Sequence, residues 1–345
     1  MTDIQQVSLQ RRRGWVVWLL LAVVVVTGVW GGVWLTIRAE VERQLDQWLT
    51  AEAVLGREHR CPQRHIGGFP FRIDVVCRDA VLQMHTPNGM MLAQFGSLTV
   101  TALIYNPDHV IADFSAPLTI RQKDELLAFI DFQGGQASLT IHNQALERLS
   151  VVLTRPSFAR ADNIRPEIAS QMLELHARPS PATEASKRDY DLAISLSGLG
   201  PAGIRPDQGA DLSSAAVIRA VPSTAGEDSA GVLAAWARAG GLIDLVKLRL
   251  TRGGGILGIN GKLGFNERGL AQGGFEAVVA DSAALLNGLA IPGFGDLSLV
   301  FGPALTLVGR SGEIEGKRGT RVDVRVDNGQ LSLGAVVIRA FPPVF

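Results

Sequence analysis

The sequence predicts a β-rich protein, all-β to α+β: a single N-terminal transmembrane helix, then a large, mainly antiparallel β-sheet domain with a few short helices. Three observations carry that expectation. Residues 15–37, WVVWLLLAVVVVTGVWGGVWLTI, run for 23 positions without a charge. Beyond them, short stretches alternate apolar and polar residues, the period of a half-buried strand. Gly and Pro, 38 and 16 of the 345 residues, are scattered singly and in pairs, as turns between strands require.

The first element is the apolar run. At about 1.5 Å per helical residue it spans roughly 34 Å, enough to cross a hydrocarbon core of about 30 Å. Trp15 and Trp18 mark one end and Trp30 and Trp34 the other, where indole rings favour the water interface. A cleaved signal peptide would carry a shorter apolar region and a small-x-small cleavage site. This run closes on Leu35-Thr36-Ile37-Arg38, so an uncleaved signal anchor is expected. Arg11, Arg12 and Arg13 precede it, opposed only by Asp3, which predicts a cytoplasmic tail over 1–14 and export of everything after the span. The expected location is therefore the bacterial inner membrane, crossed once, with the bulk of the chain in the periplasm. Gly28 and Gly32 form a small-xxx-small pair, a weak signal for helix pairing.

An amphipathic stalk helix is expected over 38–56, from Val41, Leu45, Trp48, Leu49 and Leu55, with Gly56 as its stop. It continues the membrane helix or caps the first sheet. The exported β-rich domain then occupies 57–345. Phe71-Arg-Ile-Asp-Val75, Tyr190 to Leu196 and Val246 to Leu250 alternate as strands do. Arg321 to Asp327 alternates too, and Asn328-Gly329 then joins it to Gln330–Leu333. Asn-Gly between two such runs is the strongest short-range hairpin signal, because a type I′ turn needs positive φ twice. Asn266 to Gly269 similarly joins strands near 256–265 and 270–279. Helical patterns are confined to 229–239, around Trp236, and 281–289, with Asp281 or Ser282 as cap. The polar, proline-containing stretch 178–188 reads as a hairpin loop, because Leu173–His176 and Leu192–Leu196 look like partners, or as a subdivision of the domain.

Composition excludes several classes. Lys plus Arg equals Asp plus Glu at 33 each, and the exported part carries 30 basic against 32 acidic residues, so no basic footprint for nucleic acid exists. Cys61 and Cys77 are the only cysteines, and an even pair in an oxidising compartment reads as a disulfide. His59 and His65 flank Cys61, which leaves a metal site as the alternative, but the spacing matches no zinc pattern. Gly253-Gly-Gly255-Ile-Leu-Gly258 satisfies G-x-G-x-x-G literally, yet the residues after it carry no helical period, so a glycine-rich turn and strand are expected and no cofactor. The six histidines, His59, His65, His85, His109, His142 and His176, are scattered. Phosphate loop, nucleophile elbow and H-E-x-x-H zinc motif are all missing, so no catalytic residue is assigned and no enzyme is expected. Gly67-Gly68-Phe69-Pro70-Phe71-Arg72 stands out: the glycines favour a turn and Pro70 extends Phe69, setting Phe69 and Phe71 on one face. They read as a core-anchored strand entry or as the lining of an apolar ligand groove.

Gly68-Phe-Pro-Phe-Arg72 entering a strand, Cys77-Arg-Asp-Ala80, Asp327-Asn-Gly-Gln-Leu-Ser-Leu-Gly334 and the terminal Phe341-Pro-Pro-Val-Phe345, all behind a membrane anchor, resemble the bacterial domain of unknown function 2125. The resemblance covers nearly the whole chain and implies a single-span envelope protein of a Gram-negative bacterium; it implies no activity. In layout the chain is also similar to AsmA-like envelope proteins, whose exported sheets form grooves for lipid.

Two functions follow as expectations. A long sheet that is apolar on one face must cover it with helices, close on itself as a sandwich, or load it with an apolar ligand. Two short helical patterns against some fifteen strands favour an open, curved sheet that binds a lipid or amphiphile in envelope maintenance. The alternative is a scaffold contacting other envelope proteins, with no small ligand.

Overall fold

The computed structural model describes residues 10–86, 89–123, 125–143, 145–160, 167–181, 188–222, 229–286, 290–291, 295–296, 308–334 and 336–344. Most of the expected tail, the tip of the 178–188 loop and residues 287–289 of the last expected helix lie outside them.

The apolar run and the stalk form one unbroken helix, α1 (Gln10–Val54). It ends where expected: Gly56 takes φ 75° and its amide donates to Ala53 O at 3.0 Å. The strands then follow as β1 (Arg57–Arg60), β2 (Gln63–Gly67), β3 (Arg72–Thr86), β4 (Gly89–Leu103), β5 (Asn106–Gln122), β6 (Glu125–Asp131) and β7 (Gly134–His142). Next come β8 (Ala145–Thr154), β9 (Ser157–Arg160), β10 (Ile168–Ala169), β11 (Met172–Pro179), β12 (Arg188–Pro201) and β13 (Ala210–Val221). Helix α2 (Ser229–Arg238) precedes β14 (Leu242–Arg252), β15 (Gly255–Phe265) and β16 (Ala271–Ala280). The chain closes through α3 (Ser282–Leu286), the small ladder β17 (Ala290–Ile291) with β18 (Gly295–Asp296), and β19 (Arg310–Ile314), β20 (Lys317–Asp327), β21 (Gln330–Leu333) and β22 (Val336–Ala340).

Twenty of these strands make one sheet, and every pairing is antiparallel. The order is nearly that of the chain. Strands β1 and β2 share one edge of β3, which leads to β4 and β5; β6 and β7 share the far edge of β5. The same split passes to β9 with β8 and to β10 with β11, and β12 reunites them. From there β13, β14, β15, β16 and β20 follow in turn, with β19 and β21 beyond β20 and β22 outermost. Leu173 pairs with Leu196 and His176 with Ala193, so 178–188 bridges two hydrogen-bonded neighbours.

The splits align into a crease that crosses the strands. The β3–β4 ladder skips Asp79 and Gly96, and the β4–β5 register slips opposite Ala116 and Pro117. The line continues through Phe132–Gln133, Arg155–Pro156, Ser170–Gln171 and Gly198. Asp79, Arg155 and Gly198 all have positive φ there. An extra residue in one strand of an antiparallel pair bends that strand and increases its twist, so aligned irregularities curve the sheet along one line. Ser170, 4% exposed, holds the line: its Oγ lies 2.9 Å from Met172 O and 2.8 Å from Ser197 O.

The sequence-level turns form as their residues dictate. Asn328 and Gly329 take φ 46° and 77° between paired Asp327 and Gln330. Asn266 Oδ1 accepts from the amides of Arg268 and Leu270, closing the β15–β16 turn. Gly253 and Gly254 turn the chain between β14 and β15, and a Cβ at Gly258 would meet Ile314 Cδ1 at 2.5 Å. That motif is a turn followed by a strand, and its last glycine makes room for a neighbour.

Candidate functional site: a half-covered apolar sheet face

Register assigns each side chain to a face, because successive residues in a strand point to opposite sides. Val75 and Cys77 face the same side as Leu98 and Val100, then Ala112 and Phe114, then Ala137 and Gly135. The row continues through Val151 and Leu153, Leu173 and Leu175, Ile194 and Leu196, and Leu212. It runs on to Leu250, Leu257, Val279 and, by the same parity, Val322, Val324 and Val326. The opposite face carries Thr99, Asp113, Gln136, Glu174, Ser195, Ser213, Arg249 and Arg321 in the matching row, with Val76, Val152 and Val278 among them. Along this row one face of the sheet is mainly apolar and the other mainly polar.

Helices cover the apolar face at its two ends. Along α1, Trp34, Ile37 and Val41 pack with Ile66, Ile73, Val75 and Ile104 over the first strands. At the far end Leu285 of α3, fully buried, packs against Ala210, Leu250 and Val279. The α3 amino end is capped as its sequence predicts: Asp281 Oδ1 accepts from Ala284 N at 3.2 Å. Trp236 of α2 sets its ring 6.0 Å from Phe265 and donates from Nε1 to Arg219 O at 2.7 Å.

Between these ends no described helix covers the face. From β4 through β12, Phe132 and Pro156 are the only described apolar side chains larger than alanine that are buried, and both belong to the crease. Leu98, Val151, Leu153, Leu173, Leu175, Leu192, Ile194 and Leu196 are all half-buried. A second sheet packed against them would have buried them, as in a sandwich core. Phe95, Phe114 and Phe132 form an edge-to-face row across this region, with centroids 6.1 and 5.6 Å apart. Gly135 admits it, since a Cβ there would meet the Phe114 ring at 2.3 Å.

The row leads into a pocket of about 400 Å³ between α1 and the first three strand positions. Leu45, Trp48 and Leu49 roof it, and Val75, Cys77, Ala80, Leu82, Phe95, Leu98 and Val100 floor it. His59, Arg60 and Arg64 stand at its edge. Arg64 Nη1 donates to Asp46 of α1 at 2.7 Å and Arg60 pairs with Glu58 at 2.8 Å, an interaction that raises the Arg60 pKa. Trp48 lies 4.7 Å from the His59 ring, whose buried Nε2 stands 3.6 Å from Glu52 Oε2, beyond hydrogen-bond reach. Arg57 holds Glu52 by two hydrogen bonds, which lower the Glu52 pKa and tie the last turn of α1 to β1.

Another hollow, of about 660 Å³, lies over β8, β11, β12 and β13 and is lined by Ser150, His176, Arg178 and Asp191 with alanines and Leu192. Its groups satisfy one another: His176 Nδ1 sits 3.0 Å from Ser150 Oγ, and Arg178 pairs with Asp191 at 3.2 Å. The apolar face, with its uncovered surface, has the stronger claim.

Cys61 and Cys77 are bonded, with Cα atoms 5.5 Å apart, and the bridge sits in the pocket floor. Among the described residues no cluster of three His, Cys, Asp or Glu side chains is placed to hold a metal. Phe69 and Phe71, the groove residues expected from sequence, do not line the pocket. They stand at the strand-end loop, half-exposed, with Phe69 5.7 Å from Trp34 and Phe71 5.9 Å from Trp30. The residues that sequence reasoning missed are those of β4 to β12. Each is an ordinary apolar strand residue, and only register collects them on one surface.

Fold and site together define a class: a single antiparallel sheet carried on an N-terminal apolar helix long enough to cross a membrane, with one sheet face apolar and partly uncovered. The chain belongs to the family described as an uncharacterized protein conserved in bacteria, domain of unknown function 2125, which it matches over residues 34–342. That match contains the Gly68–Arg72 loop, the disulfide and the closing hairpin. No curated protein and no solved structure matches the chain.

Proposed function

We propose that α1 anchors the protein in the bacterial inner membrane, tail in the cytoplasm and sheet in the periplasm, and that the sheet is a non-catalytic binder of lipid or another amphiphile. The observation that carries this reading is the open apolar face over β4–β12, continuous with a roofed apolar pocket at one end. A contiguous apolar surface of that extent on a water-soluble domain marks a binding site for an apolar partner. An acyl chain fits the pocket's apolar lining and size, and the polar groups at its edge suit a head group.

Photo-cross-linking in growing cells tests it. With p-benzoylphenylalanine in place of Leu175 or Ile194, irradiation is expected to give a phospholipid adduct detectable by phosphorus labelling. Ser195, adjacent in sequence and opposite in face, is expected to give none. Adducts to a protein at Leu175 and Ile194 would establish the scaffold reading instead, and equal lipid labelling at Ser195 would remove the case for a specific face.

A further inference from the structure

We propose that the 67–71 loop, with Tyr105 beside it, is inserted into the outer leaflet of the membrane that α1 crosses, seating the end of the first strands on the bilayer. The proposal rests on the anchor reading of α1. Its basis is an arithmetic of depth. A hydrocarbon core of about 30 Å takes some 20 helical residues. Arg11, Arg12 and Arg13 keep the core from starting much before Trp15, so its far boundary falls near Leu35. Tilt moves that boundary further along the helix. The sheet, however, begins to touch α1 at Trp30, about 22 Å from Trp15 along the axis. Whatever packs on Trp30 therefore lies within the leaflet or at its boundary.

What packs there is the Phe69-Pro70-Phe71 segment. Trp30 Nε1 donates to Pro70 O at 2.9 Å and Trp34 Nε1 to Arg72 O at 3.1 Å, so the loop is fixed to the helix by both indoles. Phe69 and Phe71 are 52% and 59% exposed and Tyr105, on the adjoining turn, is 74% exposed. In water this is costly apolar exposure; at a membrane interface aromatic rings are at their preferred depth. The backbone agrees. Gly68 O accepts from Arg72 N at 3.2 Å and Phe71 O from Ile104 N at 3.1 Å, so with the two indole bonds four of the five carbonyls from Gly68 to Arg72 (those of Gly68, Pro70, Phe71 and Arg72) have donors within the protein. Irregular backbone is tolerated at lipid depth only when its polar groups are satisfied in this way. Arg72, paired with Asp74 at 2.9 Å, turns its charge away toward the strand. Seated so, the covered end of the apolar face stands directly above the leaflet.

Nitroxide scanning of the full chain in phosphatidylethanolamine–phosphatidylglycerol vesicles tests this. Cys61 and Cys77 are bonded to each other, so an introduced cysteine is the one free thiol. Labels at Phe71→Cys and Tyr105→Cys are expected to collide severalfold more with oxygen, which concentrates in lipid, than with a water-soluble nickel chelate. A label at Met90→Cys, at the opposite end of the first strands, is expected to reverse that order. Val24→Cys reads the anchor itself. Lipid exposure at Val24 with water exposure at both Phe71 and Tyr105 overturns the docking and leaves the anchor standing. Water exposure at Val24 overturns both.

Discussion

Glu52 ties helix to sheet with one carboxylate, and its behaviour with pH is fixed by that contact. Arg57 donates to both its oxygens, at 2.5 and 2.9 Å, and the pair is largely shielded. Its folded-state pKa is lowered from 4.5, so the pair's contribution is fully present above about pH 4.5 and is lost as pH falls through the folded value. Thermal unfolding followed from pH 6 to pH 3 is expected to show this acid-sensitive component, and Glu52→Gln to lack it. Trp34 carries more. It is 7% exposed, and Trp34→Ala removes both a buried ring and the donor to Arg72 O, for an expected loss of about 3–5 kcal/mol. Hydrogen exchange would show it first as faster amides in β2 and the start of β3. Phe69 and Phe71 were legible from sequence as unusual residues, but not their setting. Their partners lie some forty positions earlier in the chain, and no local pattern records such a contact.

Among the elements, the strands with clear alternation or an Asn-Gly turn were readable, because two-residue periodicity and a forced positive φ are local properties. β9 and β10 were not: at four and two residues they exist only because their neighbours supply hydrogen bonds across the crease. α3 was announced by Asp281, and its weight in the fold came from Leu285, buried against β14 and β16. Leu285→Ala is expected to lower unfolding free energy by about 2–5 kcal/mol in urea titration, since Leu285 is fully buried against Ala210, Leu250 and Val279. The bridge between the β1–β2 turn and β3 closes a short loop. Replacing Cys61 and Cys77 together by serine is expected to cost about 3 kcal/mol by the same titration, with dithiothreitol reproducing the loss in the parent chain.

For the whole molecule the decisive property is that one face is mainly apolar and, among the described residues, covered by helices only at its ends. Introducing a charge reads coverage directly, because a carboxylate is tolerated where water reaches it and not where it is sealed. Ile194→Glu, on the open stretch, is expected to change stability by no more than about 1 kcal/mol while abolishing lipid cross-linking from Leu175. Val322→Glu, on the same face but 3% exposed, is expected to cost upward of about 3 kcal/mol. Equal large losses at both sites would mean the middle of the face is sealed in solution.

Taken alone, the sequence determined the apolar helix, the antiparallel class, the main hairpins, the cysteine pair and the family likeness. All of these are written in short windows: an uncharged run, a period of two, a dipeptide that needs positive φ. Tertiary structure alone decided that twenty strands form one sheet, that the irregularities align into a crease, and that the described helices cover only its ends. It also decided that the Phe-Pro-Phe loop meets Trp30 and Trp34 of α1 and does not line the pocket beneath Trp48. The reason is geometric. Alternation says that a strand has an apolar side, while register and helix placement, which depend on residues far apart in the chain, say whether that side is met by protein or left open.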